Sequence, residues 1–313
     1  MADSDEEFSK KVKTALGETR VLILGAQVLL GFQFRGVFSQ AYPELPRAAR
    51  LADAVALGLM VCVVGLLITP GPYHRIVEGG EDSTPLHRLV TAIADAALLP
   101  FALALGLNLF VVGGRLFGRG GAIAAGAGAT LVALGLWYLL PHLARQRSGA
   151  AQRAAAQGRG ETRVKTPLHA KIEQMLTESR VVLPGAQALL GFQLSIVLTE
   201  SFANLPATAK VVHAASLCCL ALSVMLLMAP AAYHRIVFAG EDTPEMHRAG
   251  SIMLTAATIP LAFGLAGSVY VVIGKVAGSP GAGLAAGVAA LILLIGLWHA
   301  YPLVARQRRR TEG

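Results

Sequence analysis

Charge is what this chain has least of. Only 15% of its 313 residues are Asp, Glu, Lys or Arg, against 54% hydrophobic, and the mean hydropathy is +0.58. Soluble domains carry about 25% charged residues, so the balance argues for an integral membrane protein. Cysteine is scarce too. Cys62, Cys218 and Cys219 all fall inside apolar runs and none makes a CxxC pair, which speaks against a disulfide framework and against a structural zinc site. The start, MADSDEEFSK, is acidic and polar, and predicts no cleavable signal peptide. No HExxH, no G-x-S-x-G and no paired transmembrane aspartates stand in the sequence, so an intramembrane enzyme has little to rest on. Aromatic residues do not interleave with the basic ones, so nucleic acid is not an expected partner. No cofactor is indicated.

What the chain does have is long apolar runs. A bilayer-crossing helix needs about 20 such residues. Eight spans can be drawn at Val21–Ala41, Leu51–Thr69, Leu89–Gly113, Gly121–Leu140, Val181–Ser201, Val211–Ala229, Ala249–Gly274 and Gly281–Ala300. Strands of a membrane barrel are only about 10 residues of alternating polarity, so the expected class is an all-α integral membrane protein with eight transmembrane helices.

The chain also says everything twice. GETRVLILGAQVLLGFQF matches TESRVVLPGAQALLGFQL, and YHRIVEGGED matches YHRIVFAGED, each at an offset of 160 residues. Trp137 and Trp298 keep step at 161, as do the two ARQR words, so the second copy gained one residue, most simply in its third loop. Two four-span units are expected, at residues 1–147 and 166–313, with a basic, Ala- and Gly-rich linker at 148–165. An even span number gives both units the same orientation, related by a pseudo-two-fold along the membrane normal. With the N-terminus inside, inner segments hold 20 Lys and Arg and outer loops 6. The positive-inside rule then places both termini in the cytoplasm of a multi-pass plasma-membrane protein. The formal charge of +8 is thus topological, and it faces anionic lipid at the cytoplasmic surface.

These words resemble the domain of unknown function 6328 family. The resemblance rests on E-x-R, G-A-Q, L-L-G-F-Q, Y-H-R-I-V and G-E-D followed by H-R, present in both copies. It implies a small bacterial membrane protein of about four spans, and no known activity. Here two units are fused, which implies that single-unit relatives work as dimers and this chain as a covalent pseudo-dimer.

On this topology twelve polar residues converge on the cytoplasmic interface as a collar: Glu18, Arg20, His74, Arg75, His87, Arg88, Glu178, Arg180, His234, Arg235, His247 and Arg248. Interfacial snorkelling explains such residues. A mouth for an ion or anionic ligand explains them too, through bidentate arginine and titrating histidine. The GED carboxylates with His74 and His87 match no metal-ligand spacing. Deeper lie Gln27, Gln33, Gln187, Gln193 and Asp95. Gln27 is about 10 Å in from Arg20, and Asp95 as far from Arg88, at 1.5 Å per residue. Thr255 replaces Asp95 in the second copy, and Ser195 replaces Arg35. Polar groups at such depth either line a path or hydrogen-bond helices together. Pro100 and Pro260 are expected to kink the third helices. Ala122 with Gly126, and Gly283 with Gly287, are expected to allow close helix approach.

Two functions follow. One is a small transporter or channel with a polar path through helices 1 and 3 past Gln33, Gln27 and Asp95. The other is a non-transporting membrane scaffold or regulatory subunit, whose collar binds lipid headgroups or a protein partner.

Overall fold

The computed structural model describes residues 22–139, 166–238 and 241–312, together with Val12, Leu16, His142, Leu143, Arg163 and Val164. Those residues are almost wholly helical. In chain order they form α1 (Leu22–Gly36), α2 (Arg47–Ile68), α3 (Pro70–Ile76), β1 (Asp82–Ser83) and α4 (Thr84–Leu134). Then come β2 (Arg163–Val164), α5 (Leu168–Val197), α6 (Glu200–Ala203), α7 (Ala207–Ile236), α8 (Pro244–Ala277), α9 (Pro280–Ile295) and α10 (Tyr301–Glu312). Six stretches are long and apolar enough to cross a membrane: Arg47–Ile76, Thr84–Leu139, Leu168–Val197, Ala207–Ile236, Pro244–Ala277 and Pro280–Thr311. Helix α1 is apolar but shorter.

Helix α4 doubles back on itself. Gly118 has φ 71° and ψ −164°, a backbone state that only glycine enters without strain. The two arms close tightly on small residues. A Cβ on Gly113 would stand 2.5 Å from the Gly121 carbonyl, and one on Gly126 would stand 3.0 Å from that of Gly106. The second copy turns at the same place with its extra residue. There Gly278 caps α8 in the left-handed region, Ser279 accepts a hydrogen bond from the Ala282 N–H at 3.3 Å, and Pro280 opens α9. The inserted residue thus converts a one-glycine reversal into a Gly C-cap followed by a Ser N-cap. Both copies then carry a π-helical turn around their tryptophan, Gly135–Leu139 and Gly296–Ala300. Helices α4 and α8 run on through Pro100 and Pro260.

One apolar core joins the two copies. Beside it lie two smaller clusters that share four matched positions: Val12, Leu16, Tyr73 and Leu86 in one, Ile172, Leu176, Tyr233 and Met246 in the other. Along the seam of α1 and α5, residues meet their own counterparts. Phe32 and Phe192 have ring centroids 4.4 Å apart. Just past the helix ends, Gln40 Nε2 donates to Glu200 Oε2 at 3.2 Å. Arg35 and Ser195 line one open groove there. Such self-matching pairs are what a two-fold axis produces. Elsewhere matched residues sit differently in the two copies. Trp298 is fully buried and its Nε1 donates to the Gly65 carbonyl at 2.8 Å. Its counterpart Trp137 is half-buried and stacks on Phe101 of its own copy at 5.7 Å. The local difference is Gly65, where a Cβ would crowd a Leu294 methyl at 3.1 Å, while the second copy has an exposed Met225 at the matched position.

Candidate functional site: the collar at the junction of the copies

The end of α2 and α3 brings Arg75 into the second copy. Its Nη1 pairs with Glu178 of α5, and its Nε donates to Thr255 Oγ1 of α8 at 3.0 Å. The two charged side chains are 6% and 17% exposed. Gly71 makes room for the carboxylate, because a Cβ there would collide with Glu178 Oε1. Next to this pair, His74 is buried and its Nε2 has no hydrogen-bond partner. His247 of α8 approaches Gly80 of the first copy. Together these residues line a cavity of about 40 Å3, closed further by Lys171, Gln174 and Ser251. That space suits a single water or a small ion.

The G-E-D word of the first copy has a separate task. Asp82 and Ser83 form an antiparallel ladder with Val164 and Arg163, the end of the linker. Asp82 N–H donates to Thr166 Oγ1 at 3.1 Å, and Glu81 Oε2 accepts from the Thr166 N–H at 2.6 Å. Glu81 also pairs with Lys171. In the second copy Asp242 meets His169, and His234 Nε2 at 3.3 Å. The acidic words therefore clip the chain to itself. Arg309 of α10 adds a further tie, reaching the buried Glu78 at 2.8 Å.

Arg88, Arg180, Arg235 and Arg248 are all exposed, and His87 is half-buried. Glu18 and Arg20 lie outside the described residues. The collar is thus divided into a buried lock (His74, Arg75, Glu178, His247) and an exposed basic rim.

The deeper residues divide as well. Gln33 Nε2 donates to Asn108 Oδ1 at 3.2 Å, and Gln193 Nε2 to Ser268 Oγ at 2.8 Å. Asn108 and Ser268 are themselves 160 apart, so each copy pins its first helix to its third in the same way. Gln27 is fully buried against Gly185 of α5, with neither amide atom hydrogen-bonded. Gln187 and Asp95, expected along the polar path, are exposed. The Asp95 carbonyl accepts from the Tyr138 hydroxyl at 2.6 Å. Among the described residues no three His, Cys, Asp or Glu side chains converge as a metal site.

A family model matches the chain twice in tandem, over residues 3–141 and 161–302. The chain belongs to the family of unknown function DUF6328. Among curated proteins and among solved structures, nothing matches. Both halves of the lock and all four rim arginines fall inside the two DUF6328 matches. Residues 142–160 and the arginines of α10 fall outside them. Within the DUF6328 units, sequence reading missed Thr255 as the partner of Arg75, and Asn108 and Ser268 as partners of the glutamines. The repeat offset was a signal for the latter pair, since both are polar at matched positions in the third helix.

Proposed function

We propose that this DUF6328 protein is a non-transporting membrane scaffold, held at one membrane face by its basic rim. The eight spans drawn from the apolar runs would require α1 to count as a span and the two arms of the Gly118 hairpin to count separately. The 20 to 6 distribution of Lys and Arg orients the collar to the cytoplasm. There Arg88, Arg180, Arg235 and Arg248 meet anionic headgroups, each worth about 1 kcal/mol near such a surface. The buried lock fixes the two copies to one another, so that rim and cavity keep one geometry.

The single observation that carries this reading is the use made of the buried glutamines. Gln33 and Gln193 are engaged across helix–helix seams, as interhelical glue requires. The second reading, transport, draws on Gln27, whose buried amide lacks partners, and on the buried Oε1 of Gln33, which lacks one too, each at a cost of about 1–3 kcal/mol. Reconstitution in liposomes separates the two. The scaffold reading expects ion flux equal to protein-free liposomes across pH. Flux that disappears in Gln27→Leu would instead establish a conducting path through the α1–α5 seam.

A further inference from the structure

A groove runs along the outer flank of the second copy, between α7, α8 and α9. Its trunk, of about 460 Å3, is almost wholly apolar and is lined by Val212, Ala215, Phe263, Leu284 and Leu291, among others. Tyr270 forms part of its wall and also part of a second hollow of about 220 Å3, which continues toward the end of α8. That hollow has a different chemistry: Lys275, Thr208 and Ser279 line it. Lys275 is half-buried and sits over the Phe38 ring at 5.5 Å. Among the described residues no carboxylate lies within ion-pair distance of it. A half-buried ammonium without a counter-ion, at the head of an apolar trench, complements one kind of molecule: an anion that carries a long hydrocarbon tail.

We propose that this groove is a binding site for an anionic phospholipid, with its phosphate at Lys275 and one acyl chain laid along the trunk toward Leu291. The proposal rests on the membrane reading above, and it concerns the face opposite the collar. The hydrocarbon supplies contact with the exposed apolar flank, while Lys275 selects the headgroup charge. A second copy of the chain, or a foreign helix, would cover the trunk but would leave Lys275 without an anion unless it brought a carboxylate.

The test uses the full chain expressed in cells. A carbonate wash first asks whether it stays in the membrane pellet. The protein is then purified in mild detergent, supplied with equal amounts of phosphatidylglycerol and phosphatidylcholine, and its retained lipid is measured by mass spectrometry. The wild type is expected to retain phosphatidylglycerol in preference. Lys275→Gln is expected to cut that preference about fivefold, the worth of one basic residue against anionic lipid, while keeping total lipid. Ala215→Trp, an exposed position that fills the trunk, is expected to lower retention of both lipids, with a monodisperse elution profile unchanged. Preference undiminished in Lys275→Gln places the selection at the arginine rim and overturns the site. A change of oligomeric state in Ala215→Trp with lipid unchanged makes the groove a protein interface and overturns it equally. Recovery of the wild type in the carbonate supernatant overturns the site and the membrane reading together, whereas a pellet without lipid preference overturns the site alone.

Discussion

The two copies of this chain carry the same words and fill different seats. Arg75 lies in a closed cleft against Glu178 and Thr255, while its counterpart Arg235 is exposed. Trp298 enters a glycine notch in the other copy, while Trp137 packs on its own. Gln27 is buried against Gly185, while Gln187 lies on the surface. The second copy therefore embraces the first on the collar side, without being embraced in return. Duplication supplied two of every group. Single replacements, Gly65 against Met225 and Thr255 against Asp95, go with which of the two is used. In the closed cleft a threonine hydroxyl takes one of the Arg75 donors. An aspartate at that position would place a second carboxylate beside Glu178, at added desolvation cost.

The comparison breaks most sharply at the lock. Arg75→Ala leaves Glu178 in its cleft without a cation, and a buried pair deprived of one partner loses about 3–5 kcal/mol. Arg235→Ala, by contrast, should stay within about 0.5 kcal/mol, as surface changes do. Thermal unfolding of both variants in the same detergent measures the gap, and equal losses would mean that the copies are symmetric after all.

A smaller effect, of opposite sign in the two copies, is expected at matched glycines. A Cβ on Gly185 would stand 1.7 Å from Gln27 Oε1, whereas one on Gly25 meets nothing within 4 Å. Gly185→Ala must displace the glutamine, an overpacking cost of about 1–3 kcal/mol. Gly25→Ala relieves a helix of glycine and gains up to about 1 kcal/mol. Unfolding midpoints that move the same way in both variants would contradict the seam described for α1 and α5.

The smallest effect is expected at Asp95. Its side chain is exposed, so Asp95→Asn should leave assembly and liposome flux unchanged. Stability should stay level or rise slightly, since a carboxylate facing lipid is costly. A pH-dependent flux that the substitution abolishes would restore Asp95 to a transport path.

The sequence made the helical class, the tandem units and the site of the inserted residue legible, because each is written in composition or in offsets. It also put Gln33 and Gln193 at matched positions, and each bonds the third helix of its own copy. It failed on facing. Depth advances by 1.5 Å per residue, so an error of one residue is small. Facing advances by about 100° per residue, so the same error turns a side chain from the core to the surface. Gln27 and Asp95 were assigned similar depth, yet one is buried and the other exposed. The split of the collar into lock and rim was illegible for another reason. Both copies spell the lock residues themselves identically, and the difference lies in their neighbours, Thr255 against Asp95 and Gly71 against Ala231, whose bearing shows only once one copy is packed on the other.

The short ladder between Asp82–Ser83 and Arg163–Val164 has a consequence in time. Thr166, which satisfies Asp82 N–H and meets Glu81, is synthesised 84 residues after Asp82. At about 5–20 residues per second, the first unit waits roughly 4–17 s with this loop unfastened while the linker is still being made. Lys171, the next partner of Glu81, arrives only with the opening turn of α5. The loop thus closes as the second unit begins to form, and the order of translation itself sets which copy is held first.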